Sequence, residues 1–212
     1  MAIYLPDKAN LRETDDDDPV FYHFNPLIGW VYRKRLENTV ALLGDGKYDR
    51  LLEIGYGSGL LLPELKRHSM KLYGVDMHGA IPDVQQMLDK EGVEAELVHG
   101  TILDLPYETD FFDAIVSVSV LEHIREIDKA TSEIRRVLKP GGTAVLSFPT
   151  KNKITNSFFR LVGYDPSELH PSSHRVIEEG VSKHFTIEKK LLFPSIGLSD
   201  FALYVSLKCL KR

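Results

Sequence analysis

The stretch Leu51-Leu52-Glu53-Ile54-Gly55-Tyr56-Gly57-Ser58-Gly59 constrains this chain more than any other. An apolar run enters three alternating glycines, after which Leu60, Leu61, Leu62 and Leu65 begin a helical pattern. The reading is a buried strand, a tight turn and a helix start. Glycine serves where φ is positive or where backbone must approach a ligand closely. A helix N-terminus behind such a turn offers unpaired N–H groups and the positive end of a dipole. A strand-to-helix turn without a ligand is the plainer alternative, and three alternating glycines exceed what it needs.

The same beat continues downstream. Met70 to Asp76 reads as a second strand ending in an acid, Ile81 to Lys90 as a helix, and Ala95 to His99 as a third strand. Phe111 to Val118 is an apolar fourth strand. A helix over Ile127 to Leu138 stops at Lys139-Pro140-Gly141-Gly142, and Thr143 to Phe148 makes a fifth strand. Strands alternating with helices imply parallel pairing through right-handed crossovers, and near-continuous apolar strands imply helices on both faces. The expectation is a doubly wound α/β sheet. Ser172 and Ser173 could cap a helix through Val176, Ile177 and Val181. Phe185 to Phe193 and Phe201 to Leu210, joined by a turn at Pro194 to Leu198, read as an antiparallel hairpin.

Ahead of the core, Asn25-Pro26 reads as an N-cap followed by proline in the first turn of a helix from Pro26 to Leu43, with Gly44 as its stop. Its stripe of Leu27, Ile28, Val31, Tyr32, Leu36, Val40 and Leu43 packs on a core, and Arg33, Lys34 and Arg35 interrupt it as a basic cluster. Residues 1–19, with Asp15-Asp16-Asp17-Asp18, hold little that can pack and are expected to form a mobile acidic arm. The expected organisation is one domain over 20–212, divided into a cap helix (20–44), a binding core (45–150), and a substrate-facing insert with the C-terminal hairpin (151–212).

Composition narrows the class. The 212 residues are 43% hydrophobic and 27% charged, as in an ordinary globular chain. Cys209 alone excludes a disulfide framework and fits a reducing compartment. No stretch resembles a signal peptide, and none approaches the roughly 20 apolar residues of a membrane span. The expected location is cytoplasmic. A pI of about 5.9 without a Lys/Arg block disfavours nucleic acid. Residues 151–212 nevertheless carry ten Lys or Arg against six acids, which is weak evidence for an anionic substrate there, a solvated basic face being the plainer reading.

The loop lacks the Gly-Lys-Ser/Thr ending of a phosphate-binding P-loop, since Leu60 follows Gly59. It is G-x-G-x-G rather than the dinucleotide G-x-G-x-x-G, and Glu53 would face a pyrophosphate unfavourably. These features point to a nucleoside with a cationic tail. Asp76, roughly 20 residues past the loop at a strand end, suits two ribose hydroxyls. A helix-capping Asp is the alternative.

At this point the chain resembles the class I S-adenosylmethionine-dependent methyltransferases, in particular the small single-domain group. The resemblance is carried by Glu53–Gly59, Val75-Asp76, Leu105-Pro106-Tyr107, Phe112–Val116, Val120-Leu121-Glu122-His123-Ile124 and Arg136–Gly142, in that order. It implies a Rossmann-like seven-stranded sheet of order 3-2-1-4-5-7-6 with strand 7 antiparallel. It implies S-adenosyl-L-methionine as cofactor. Gly55, Tyr56, Gly57 and Gly59 would form the loop bordering the methionine portion, Glu53 and Ser117 would lie near its ammonium, and Asp76 would meet the ribose. Met77 would pack on the adenine. Thr101 and Ile102 fall where relatives often carry Asp-Ala, whose Asp meets the adenine amino group. His123 would lie beside the cofactor.

Methyl transfer from a sulfonium is an in-line displacement, in which positioning can supply on the order of 7–11 kcal/mol and a base matters only for a protonated nucleophile. His170 is the candidate base. Tyr22, His23, His174 and Arg175 are candidate substrate contacts. Pro171 argues against one helix carrying both His170 and His174, and no metal site is expected, in the Asp run or elsewhere. The acceptor is read as a small molecule, anionic or lipid-like. A non-catalytic or regulatory binder of the same nucleoside is the alternative function.

Overall fold

The computed structural model describes residues 3–14, 18–152, 155–157, 171–194 and 201–212. Helix α1 spans Gly29–Leu43, and β1 (Tyr48–Ile54) leads through the glycine loop into α2 (Leu62–Arg67). Then follow β2 (Ser69–Asp76), α3 (Ile81–Glu91), β3 (Glu96–His99), β4 (Phe112–Val118) and α4 (Ile127–Val137). Strand β5 (Leu138–Pro149), α5 (His174–His184), β6 (Thr186–Phe193) and β7 (Tyr204–Leu210) complete the order. The seven strands form one sheet ordered β3-β2-β1-β4-β5-β7-β6, with β7 antiparallel to both neighbours, as the resemblance implied.

Strand parity divides the core. Leu51, Ala114, Val116 and Val145 face α1, α2 and α3, packing with Leu36, Val40, Leu62, Leu65, Val84 and Met87. Leu52, Ile115 and Leu146 face the other way, against Ile127, Ala130, Ile134 and Ile177 of α4 and α5. Both faces are therefore covered, which is why the inner strands read as continuous apolar runs. Ser173 caps α5, its hydroxyl accepting from the Val176 amide, as its position suggested.

Three expectations shift. Asn25 does cap a turn, its Oδ1 accepting from the Leu27 and Ile28 amides at 2.9 and 3.3 Å, but regular α1 begins only at Gly29. Lys139 to Gly142, expected as a helix stop, already run within β5, with Gly141 at φ 76°. Residues 3–14 do not stand off as an arm. Leu11 is buried beside α2 and α3, and the Glu91 carboxylate gathers the Tyr4 hydroxyl, the Asp7 amide and the Asn10 amide group. Asp15 to Asp17 and the turn residues from 195 to 198 lie outside the described residues.

Helices α4 and α5 cross at Gly180, where a Cβ would stand 2.4 Å from Cγ2 of the buried Ile127. Alanine in a helix interior gains up to about 1 kcal/mol over glycine, whereas overpacking costs about 1–3 kcal/mol. The β-branched Ile127 has little rotamer freedom with which to yield. Gly180→Ala is therefore expected to destabilise the protein by about 1–2 kcal/mol, read as a lower urea midpoint at unchanged m-value.

Candidate functional site

The glycine loop sits at the C-terminal end of β1, where the strand order turns from β2 on one side to β4 on the other. Open α/β sheets hold ligands at such a switch point. Gly55 is at φ 74°, and a Cβ there would lie 2.1 Å from Val120 Cγ2. Gly59, at φ 76°, presses its Cα against Val84 and Met87, which seats α2 on α3. At Gly57 a Cβ would meet only the Asp18 carboxylate oxygens, both at 4.0 Å, so this face of the loop opens on space.

That space is a cavity of about 360 Å³, the size of a small-molecule site. Of the residues assigned to a cofactor, Glu53, Gly55, Tyr56, Gly57, Asp76, Met77 and Ile102 line it. Gly59, Thr101 and Ser117 do not. The Thr101 hydroxyl accepts from the Leu103 amide at 3.3 Å and is used in a local turn. Ser117 is 1% exposed, with an Oγ that has no hydrogen-bond partner. Among the substrate candidates only His23 lines the cavity. Tyr22 stacks on Tyr32 with ring centroids 5.4 Å apart, the His174 Nδ1 accepts from the Lys151 amide at 3.0 Å, and Arg175 is exposed. His170 lies outside the described residues. His123, placed beside the cofactor by the resemblance, does line the cavity.

The electrostatics are uneven. Asp76 accepts from the Gly57 amide at 2.8 Å and from the Met77 and His78 amides at 2.6 and 3.3 Å, so one carboxylate ties the tip of β2 to the loop after β1. His78 Nε2 reaches back to the Gly57 carbonyl at 3.0 Å and completes the tie. Glu53 is 3% exposed and its Oε2 has no hydrogen-bond partner. Burial, and secondarily the Asp76 charge, hold its carboxyl well above the usual carboxylate range. The Tyr56 hydroxyl is likewise buried without a partner and is pushed up by burial and then by Asp76 and Glu53. A buried polar atom without a partner is costly, and two at one loop are unusual unless a ligand satisfies them.

Opposite the loop, the wall comes from residues to which the sequence reading gave no part in the site. Thr14, Asp18, Pro19 and Val20 enclose one side, and Arg35, Ser119, Val120 and Ile124 another. Ser119 takes a left-handed backbone at φ 57°, a strained conformation for a residue with a Cβ, and its hydroxyl accepts from Arg35 Nη1 at 2.7 Å. His23 is 2% exposed, its Nδ1 lies 3.1 Å from the Val20 carbonyl, and burial followed by Arg35 lowers its pKa to about 3. Among the described residues no cluster of His, Cys, Asp and Glu is arranged to hold a metal. No described helix is long and apolar enough to cross a membrane.

Residues 52–146 match the sequence profile of a family described as a methyltransferase domain. Two curated relatives are ubiquinone biosynthesis O-methyltransferases. The one from Maricaulis maris is 27% identical, the match covering 71% of this chain and 60% of that protein. The one from Alkalilimnicola ehrlichii is 30% identical over 67% of this chain and 55% of that protein. The chain thus spans a little over half the length of each. Among solved structures, the N-methyltransferase NodS from Bradyrhizobium japonicum, in complex with S-adenosyl-L-homocysteine, superposes with a TM-score of 0.69 at 20% identity, covering 94% of this chain and 95% of that one. The PH0226 protein from Pyrococcus horikoshii superposes at 0.73 with 18% identity, covering 92% and 97%.

A carboxyl raised by folding favours the folded state below its unfolded pKa, about 4.3, and loses that contribution as pH rises through its folded pKa. Glu53 thus penalises the ligand-free protein at high pH. Glu53→Gln is expected to raise the ligand-free melting temperature relative to wild type at pH 8, with the difference shrinking towards pH 4. The buried Glu122, raised by the same cause, leaves a residual pH slope in both proteins.

Proposed function

We propose that this chain, whose residues 52–146 match a methyltransferase domain, is a class I S-adenosylmethionine-dependent methyltransferase that moves a methyl group from S-adenosyl-L-methionine to a small-molecule acceptor. The observation that carries the reading is the pairing, on one cavity, of the Asp76 carboxylate at the tip of β2 with the buried, partnerless Glu53 carboxyl at the end of β1. The Asp76 carboxylate disfavours a phosphate, and the two acids together suit a nucleoside bearing hydroxyl and ammonium donors. The chain's residues fit that group. Glu53 would pair its ammonium, which returns the carboxyl to its charged form and ends its isolation. Asp76 would accept the ribose hydroxyls in place of some backbone amides, while Met77 and Ile102 offer apolar contact for a base. The relatives' name, O-methyltransferase, supports a small acceptor.

When bound, S-adenosyl-L-methionine supplies an electrophilic methyl on a good leaving group, so the protein has no covalent chemistry to perform. What the chain contributes is orientation and exclusion of water. The left-handed Ser119, the close Gly55–Val120 contact and the Asp76–Gly57 tie fix the walls before any ligand arrives, and such positioning is worth on the order of 7–11 kcal/mol when the reacting atoms are aligned. Should the acceptor need deprotonation, the two imidazoles that line the cavity differ in aptitude. His23, at about 3, is too weak a base at neutral pH, whereas His123 lies on the exposed side.

Isothermal titration with S-adenosyl-L-homocysteine tests the site. Wild type is expected to bind, and Asp76→Asn to bind on the order of 10-fold or more weakly, as for loss of a charge-assisted hydrogen bond. Absence of any heat or thermal shift with the wild-type protein would sink the donor assignment. Transfer of labelled methyl from S-adenosyl-L-methionine to any member of a panel of phenols and amines would exclude the alternative of a non-catalytic binder.

A further inference from the structure

We propose that the edge of the sheet around the cavity mouth docks on an anionic lipid bilayer, with Leu27, Trp30 and Phe201 entering the interface and basic side chains meeting the headgroups. The inference stands apart from the methyl-donor reading and can fail or hold without it.

Single exposed hydrophobic residues are ordinary, so what carries information is where they gather. Among the described residues seven large hydrophobic side chains are exposed, and five of them lie where the parallel strands end and the cavity opens. Met77 follows β2, Val176 stands in the first turn of α5, and Phe201 precedes the antiparallel β7. Leu27 and Trp30 stand at the start of α1. Leu27, Trp30 and Phe201 are 81%, 57% and 48% exposed.

These last three belong to one surface. The Trp30 ring meets Phe193, the last residue of β6, edge-on with centroids 5.6 Å apart. The Leu203 amide in turn donates to the Phe193 carbonyl at 2.6 Å, which joins the start of α1 to the β6–β7 corner. The exposure is built in rather than a loose end. Asn25 caps the turn that holds Leu27 outward. Beside Phe201, the Ala202 carbonyl accepts from Asn152 Nδ2 at 2.7 Å and from the Thr155 hydroxyl at 3.2 Å.

The charges nearby choose the occupant. Leu27, Trp30 and Lys34 are spaced by three and four and share one face of α1. The Lys34 side chain is 44% exposed, and its only ion pair is the surface contact with Glu37 at 3.0 Å. Lys151 after β5 and Arg175 beside Val176 are exposed at the same edge, while the exposed Arg125 and Glu126 offset each other. Asp18, Glu53 and Asp76 turn into the cavity instead. The net charge of the chain is −5, so attraction to an anionic surface has to be local, within a Debye length of about 10 Å at 0.1 M salt. A tryptophan flanked by leucine and a lysine that can snorkel suits a bilayer interface. Protein interfaces, by contrast, are depleted in lysine. Docked on this edge, the cavity opens towards the bilayer, and an acceptor with an apolar tail would reach it without leaving the lipid.

Trp30 is the only tryptophan of the chain, so the native protein reports its own docking. Vesicles of phosphatidylcholine mixed with phosphatidylglycerol are expected to shift its emission to shorter wavelength, and brominated acyl chains to quench it. Both effects are expected to fade with added salt and to be weaker with phosphatidylcholine alone. Co-sedimentation is expected to show Lys34→Gln binding about fivefold more weakly, the effect of one surface cation. Leu27→Ser combined with Phe201→Ser is expected to bind on the order of 10-fold or more weakly. Both substitutions are exposed, and an unchanged melting temperature shows the fold intact. If the double variant melts lower, Lys34→Gln against wild type decides. Mixed vesicles that neither move the emission nor sediment the wild-type protein overturn the proposal. Equally tight binding to phosphatidylcholine alone also overturns it, since the basic side chains would then have no part. A dimer in sedimentation velocity that the double variant disperses, with emission blind to vesicles, overturns it in favour of a contact between copies.

Discussion

The bond from the Gly57 amide to the Asp76 carboxylate joins two strand ends that the sheet alone would leave apart. Strands β1 and β2 pair in parallel up to Ile54 and Val75, and beyond that point the chain diverges into a loop on one side and a turn on the other. One side chain collects amides from both. The loop can then keep the positive φ of Gly55, Gly57 and Gly59 without strain from a Cβ, and its open face is presented to the cavity in a fixed position. Everything described on that cavity is measured from this tie: the isolation of Glu53, the partnerless Tyr56 hydroxyl and the space in front of Gly57.

The charges around the cavity are arranged against the grain of folding. Glu53, Glu122 and Arg35 are each at most 6% exposed, and none sits in an ion pair of the kind that makes the surface pairs of this protein inexpensive. Surface pairs such as Lys190–Glu178 contribute about 0–1 kcal/mol and can be lost without consequence. Buried unpaired groups cost more than that, and the apolar packing on both faces of the sheet has to absorb them. Stability is thereby given up where a ligand can return it.

Much of this was legible in the residues. The alternation of apolar runs with helices pointed to a doubly wound sheet and the C-terminal runs to an antiparallel hairpin, while the strand order was what the family resemblance implied. The loop and Asp76 were legible because each sits where the chain changes direction, and there the residue type is dictated by backbone geometry. Arg35 was not, although a trace of it was present. Val31, Arg35 and Thr39 are spaced by four, which puts a guanidinium on the buried stripe of α1 rather than on its solvated side. Read as part of a basic cluster with Arg33 and Lys34, it lost that distinction. Residues 3–14 were misjudged for a different reason. Their contacts are single and distant in sequence, Leu11 in a core and Glu91 across 81 or more residues, and no periodicity announces such contacts. Ser119 carries no signal in the sequence beyond following β4.

The division of the core by strand parity sets a condition that composition alone cannot express. Side chains along β1 alternate between the two faces, so Glu53 reaches the cavity as the neighbour of Ile54 and Leu52, which point to the opposite layer. A slip of one position between β1 and its neighbours would exchange these roles, driving the carboxyl into the apolar layer under α4 and presenting a hydrocarbon to the ligand. Chemical function in this chain is therefore a property of strand phase: the same residues in the same order, paired one step out of register, would describe a hydrophobic defect instead of a binding site.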